Sequence, residues 1–147
     1  MELQQENSSV IIIFDVSYKK DFEVIKKYIV DEEIPFIGAL NQDNLVRFEW
    51  YFSPDENTAT LVEMAKDSDA WEELATKVIG SPVNVKFNDF FNIEKLTVLG
   101  EVSDSLREKI EPMNPVFRSY VAGFSIQWTA RQTKIRRIEQ RLCMLLI

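Results

Sequence analysis

A chain of 147 residues with 17 lysines and arginines against 24 aspartates and glutamates has room for one domain whose core needs no disulfide or metal. It contains no histidine and one cysteine, which excludes His-centred triads, His-ligated haem or zinc and an intramolecular disulfide. A net charge of -7 argues against non-specific nucleic-acid binding, and the composition points to no metal and no cofactor.

The segment Met1–Ser9 is polar and acidic, without the basic stretch that opens an export signal. The first apolar run, Val10–Phe14, is far too short to span a bilayer, so a cytoplasmic protein without membrane contact is expected. Val10–Val16 reads as a β-branched strand, apolar on both faces for most of its length. Tyr18, Phe22, Ile25 and Ile29 then recur at helical spacing with lysines between them, and Pro35 is expected to end that helix. Leu45–Phe52 alternates: Val46, Phe48, Trp50 and Phe52 share one face, and Leu45, Arg47, Glu49 and Tyr51 the other. Ser53–Asn57 reads as a turn and Thr58–Ala65 as the returning strand of a hairpin.

Asp67 or Asp69 is placed to cap a helix with the apolar stripe Trp71, Leu74, Ala75 and Val78, and Gly80 to stop it. Ser81-Pro82 opens another helix, with Val83, Phe87, Phe90 and Phe91 on one face. Ile93–Leu99 is a further strand, closed by Gly100. Ser103 or Ser105 caps a short helix carrying Leu106 and Ile110, and Val116–Ile126 reads as extended chain with edge-strand character. The order predicts an α+β, ferredoxin-like βαββαβ fold: a four-stranded antiparallel sheet with helices on one face. The other face is too apolar for water, whichever half of the first strand it receives. A second sheet from a symmetric homodimer covers it most simply.

Several stretches carry a family resemblance. They are Phe48-Glu49-Trp50-Tyr51-Phe52, the loop Ser53–Asn57, Thr60-Leu61-Val62-Glu63-Met64 and Asp67-Ser68-Asp69-Ala70-Trp71. Together they resemble the antibiotic-biosynthesis-monooxygenase-like family of dimeric α+β barrels, over residues 10–126. An extension resembling Leu99-Gly100 to Leu106-Arg107, Pro115-Val116-Phe117 and Ala122-Gly123-Phe124 occurs in some members. The resemblance implies a dimeric barrel and, among its activities, cofactor-free oxygenation of quinols or polyketides. Haem degraders of the family use an Asn, a Trp and a haem-ligating His. Trp71 suits such a helix position, but the absence of histidine departs from that pattern.

Each candidate residue carries two readings. Trp71, Phe87, Phe90 and Phe91 make an aromatic pocket for a flat ligand or, as such stripes ordinarily do, plain core. Asn88 is placed to bond a substrate oxygen or to face solvent. Tyr51, Arg47 and Glu49 form a polar site with a proton-transferring phenol, or an interface network. Asp15 ends an apolar strand and Glu63 interrupts another; a carboxylate there has its pKa raised and serves as a base or, as strand ends commonly are, is simply solvated. Cys143 has basic neighbours that favour a thiolate, but it sits in an apolar stretch that favours packing.

The expected organisation is a barrel domain over 1–127 and a helical tail over 128–147. Residues 131–147 hold five basic residues and one acidic, a net charge of +4 that leaves -11 on the rest. Ile135, Ile138, Leu142 and Leu145 give the tail heptad spacing. Two functions of different kind fit these readings. One is binding of a small aromatic or hydrophobic molecule, extending to cofactor-independent oxygenation, with Trp71, Tyr51, Phe87, Asn88 and Phe91 at the site. The other is a non-catalytic dimeric scaffold that uses the tail as its contact element. An RNA-binding module is disfavoured by the acidic body.

Overall fold

The computed structural model describes residues 7–126. The tail and Cys143 lie outside them. One compact unit ends at Tyr120, and residues 121–126 belong to a second.

The first unit runs β1 (Val10–Tyr18), α1 (Phe22–Tyr28), a π-helical turn (Ile29–Glu33), α2 (Ile34–Leu40), β2 (Leu45–Ser53) and β3 (Thr58–Ala65). It continues with α3 (Ser68–Val78), α4 (Pro82–Phe90), β4 (Phe91–Leu99), α5 (Asp104–Ile110) and β5 (Val116–Arg118). The sheet order is β2-β3-β1-β4-β5, antiparallel except that β5 adds to β4 in parallel. The first four strands and their helices form the expected ferredoxin-like unit, and β5 is the edge strand expected within Val116–Ile126.

β1 shows why the sheet has two unlike faces. Val10, Ile12, Phe14, Val16 and Tyr18 are buried, and they join Ile25, Tyr28, Ile29, Ile37, Trp71 and Leu74 from the helices in one core. Ile11, Ile13, Asp15 and Ser17 alternate with them on the half-exposed side. Across that side Ile13 faces Val62 and Ile11 faces Met64 and Leu99, an apolar strip over which no helix or second sheet lies among the described residues of this unit.

Four local expectations are corrected. The first helix does not stop at Pro35. The Ile34 N–H bonds back to the Ile29 carbonyl, the five-residue spacing of a π turn, and Pro35 falls in the first turn of α2, where its missing N–H costs little. Tyr18 belongs to β1, ahead of that helix. In β2 a bulge between Leu45 and Arg47 reverses the two residues at its start. Leu45 is buried and Val46 is 63% exposed, although alternation from Phe48 backwards assigns Val46 to the core. Phe91 is the first residue of β4, not the last of a helix face.

The caps follow the sequence closely. The Asp67 carboxylate accepts the Ala70 N–H at 2.8 Å, Ser81 accepts from Asn84, and Ser103, rather than Ser105, accepts from Leu106. Gly80, with φ of +81°, follows the end of α3. Among the described residues no helix is long and apolar enough to cross a membrane.

Candidate active site: two carboxyls in an apolar cavity

Beneath the helices lies a cavity of about 130 Å³. Its walls are mostly apolar, with Leu61 of β3, Trp71 and Leu74 of α3, and Val83 and Phe87 of α4 among them. Its polar groups are Glu33, Glu63, Asn84 and Asn88, and no lysine or arginine lines it among the described residues.

Glu63 arrives there by strand alternation. It lies between the buried Leu61 and Ala65 on the helix-facing side of β3, opposite Ile12 of β1 and Phe48 of β2. The Trp71 indole N–H donates to its Oε2 at 2.5 Å. Glu33 arrives by helix geometry, as the last residue of the π turn. Ile25, Ile29, Glu33 and Ile37 are spaced by four, a row that drifts about 40° per step on a 3.6-residue helix. The wider π turn offsets part of that drift, and all four are buried. Glu33 is only 4% exposed, and the Trp50 indole N–H donates to its Oε2 at 2.8 Å.

The two sites therefore repeat one motif: an indole holds one carboxyl oxygen, and the other oxygen has no hydrogen-bond partner among the described residues. Burial pushes the Glu33 carboxyl up to about 8, with the Trp50 hydrogen bond opposing and the Glu63 charge adding to it. Burial likewise pushes Glu63 up to about 7, opposed by the Trp71 hydrogen bond. Two carboxyls titrating near neutrality in one cavity have the properties of general acid–base groups. Among the described residues no cluster of three metal-ligating side chains occurs.

The sequence-derived site residues divide. Trp71, Phe87 and Asn88 line the cavity, as does Glu63. Phe91 is buried core, stacked on Trp50 at 4.9 Å, and Phe90 packs edge-on against Tyr28 at 5.2 Å. Tyr51 lies on the other sheet face, 53% exposed, and is corrected out of this cavity. There its hydroxyl donates to Glu49 at 2.8 Å, and Arg47 pairs with the same carboxylate. Asp15 also lies on that face, accepting from the Thr60 hydroxyl at 2.8 Å. Glu33 was not legible as a site residue, although a lone carboxylate in the row Ile25, Ile29, Ile37 is a signal for it.

No protein-family profile and no curated protein matches the chain. Solved structures do. MupZ from Pseudomonas fluorescens is 18% identical with a TM-score of 0.67, over 82% of this chain and 96% of that one. SnoaB from Streptomyces nogalater, a cofactor-independent oxygenase solved in a mutant form, is 11% identical with a TM-score of 0.51, over 62% of this chain and 90% of that one. At such identities the likeness speaks for backbone architecture alone. The chain shares the ferredoxin-like α+β fold of these two structures.

Proposed function

We propose that the chain binds a small single-ring aromatic or hydrophobic molecule in this cavity, with Glu63 taking a proton from it. The observation that carries the reading is a pair of carboxyls, each with an oxygen to spare, in an otherwise apolar space. A volume of about 130 Å³ suits one ring, since cavities of roughly 150 Å³ hold benzene. The reaction we assign is cofactor-independent oxygenation of an electron-rich phenol or quinol. Ionised Glu63 removes the hydroxyl proton, and the resulting anion reacts with O₂ at a ring carbon. The peroxide anion takes the proton back from Glu63, which restores the base, and the ring hydroperoxide loses water to leave a quinone, so one oxygen atom enters the product and the other departs as water. The Asn84 and Asn88 amides are the neutral donors available to the transient anion. The shared fold with SnoaB, itself a cofactor-independent oxygenase, supports this choice.

Oxygen uptake with electron-rich single-ring phenols tests it. The wild type should consume O₂ and form quinone, and Glu63→Gln should lose about 100-fold or more in rate. No uptake above buffer across the series would refute the assignment.

We propose further that the chain is a homodimer through the half-exposed strip around Ile11, Ile13, Val62, Met64 and Leu99. Sedimentation should give a dimer at micromolar concentration and a monomer for Ile13→Glu; a wild-type monomer would remove the idea. The same strip favours the second reading, a non-catalytic scaffold, which gains if no ring compound binds. A cytoplasmic setting belongs with this reading, since the single cysteine calls for no oxidising compartment.

A further inference from the structure

The π-helical turn is an unusual way to build the middle of a helix, and it ends at the residue whose carboxyl enters the cavity. A carboxyl that is 4% exposed and has one unbonded oxygen is costly unless the space before it offers a partner. Glu63 is half-buried and likewise has one oxygen without a hydrogen-bond partner among the described residues. Yet the cavity contains no cation to pair with either group among the described residues. Asn84 and Asn88, the other polar groups lining it, are uncharged amides.

Resting on the reading of this cavity as a small-molecule site, we propose that Glu33 and Glu63 act as a mixed pair on one ligand group. Neutral Glu33 donates a hydrogen bond to the group and ionised Glu63 accepts one from it, so the cavity selects an uncharged hydroxyl and rejects a carboxylate. A hydroxyl is the simplest group that accepts and donates at once. A carboxylate accepts only, and it would place a second negative charge beside Glu63 in a space of low dielectric. In a cavity of about 130 Å³ a single ring has little room to keep its polar end away from either carboxyl.

The division of roles follows the surroundings. Glu33, the more buried, is the one pushed to about 8, against about 7 for Glu63. Two carboxyls in one apolar space resist ionising together, and Glu33, 4% exposed against a half-buried Glu63, has the less access to water and keeps the proton. The charged and titratable groups around Glu33 are few. Glu63 faces it from β3, and β2 presents only the uncharged Trp50 indole. Tyr28, one turn earlier on the same helix, has its hydroxyl committed to the Val83 carbonyl at 2.8 Å and its ionisation held well above the usual range by burial and by Glu33 and Glu32. Lys86 of α4 pairs with the neighbouring Glu32 at 2.6 Å.

Isothermal titration with benzyl alcohol and with benzoate tests the proposal on the full chain without recourse to turnover. At pH 7.5 benzoate should bind at least about tenfold more weakly than benzyl alcohol. Raising the pH to 9.5 should weaken benzyl alcohol several-fold in the wild type, because Glu33 then loses its proton. Glu33→Gln keeps an acceptor for the Trp50 N–H and an amide donor for the ligand, so its benzyl alcohol affinity should not change over the same pH range. Benzoate binding as tightly as benzyl alcohol would overturn the proposal, and so would an equal loss of affinity in wild type and Glu33→Gln. Failure of both compounds to bind at millimolar concentration removes the small-molecule reading itself, and this inference with it.

Discussion

The Trp71 indole N–H reaches Glu63 at 2.5 Å from eight residues further along the chain, tying the start of α3 to the strand before it. That bond fixes one carboxyl oxygen and leaves the other to the cavity. Trp50 does the same for Glu33 between β2 and the π turn. Trp50 and Trp71 are thus the groups that orient the two acids.

The pair makes stability depend on pH in a definite direction. Both carboxyls titrate higher in the folded chain, near 8 and 7, than the usual 4.5, so the native state holds protons that the unfolded chain has lost. Their stabilising share is complete below about pH 4.5 and lost as pH rises through 7 and 8. Thermal melts should show stability falling by several kcal/mol between pH 5 and 9. In Glu33→Gln and Glu63→Gln that slope should flatten, and the variants should be the more stable at pH 9.

Removing an indole donor should act oppositely on the carboxyl it serves. Trp71→Phe keeps most of the ring area but deletes the bond that lowers the Glu63 pKa. Its cost should be about 1–3 kcal/mol by denaturant titration, and the Glu63 carboxyl should titrate higher than in wild type.

The bulge in β2 gives a pair of adjacent residues with opposite sensitivity. Leu45→Ala should cost about 2–4 kcal/mol, because Leu45 is buried. Val46→Ser should stay within about 0.5 kcal/mol, because Val46 points to solvent. Equal costs would place Val46 back in the core.

Those two residues also show what a sequence conveys and what it hides. Strand and helix periodicity gave the βαββαβ order, and cap residues such as Asp67 and Ser81 marked helix starts to within a residue, because both signals are local. The bulge was hidden, since one unpaired residue reverses two faces without changing composition. The π turn was hidden too, because Pro35 reads as a stop wherever helices are assumed to be α. Trp71, Phe87, Asn88 and Glu63 were readable at the site because they sit in regular elements. Glu33 depended on the irregular turn, and Tyr51 falls outside the cavity because it alternates with Trp50 and so shares the open face with Arg47 and Glu49.

Two glycines should respond with opposite signs. A Cβ on Gly100, at φ of +110°, would lie 2.5 Å from the Ser9 carbonyl oxygen, so Gly100→Ala should cost at least about 2 kcal/mol. Gly38 lies within α2, and a methyl group added there would meet open space, so Gly38→Ala should stabilise by about 0.5–1 kcal/mol. Denaturant midpoints of the two variants report both.

Two carboxyls held near neutrality in one cavity are the centre of this site, and side-chain carboxyl NMR reads them directly. Titrating the ¹³C-labelled glutamates of the wild type, with Glu33→Gln and Glu63→Gln for assignment, should give two groups with midpoints near 8 and 7. Midpoints for both near 4.5 would mean water-solvated acids with no special place in the fold, and would contradict the site, its proposed chemistry and the selectivity inferred from it.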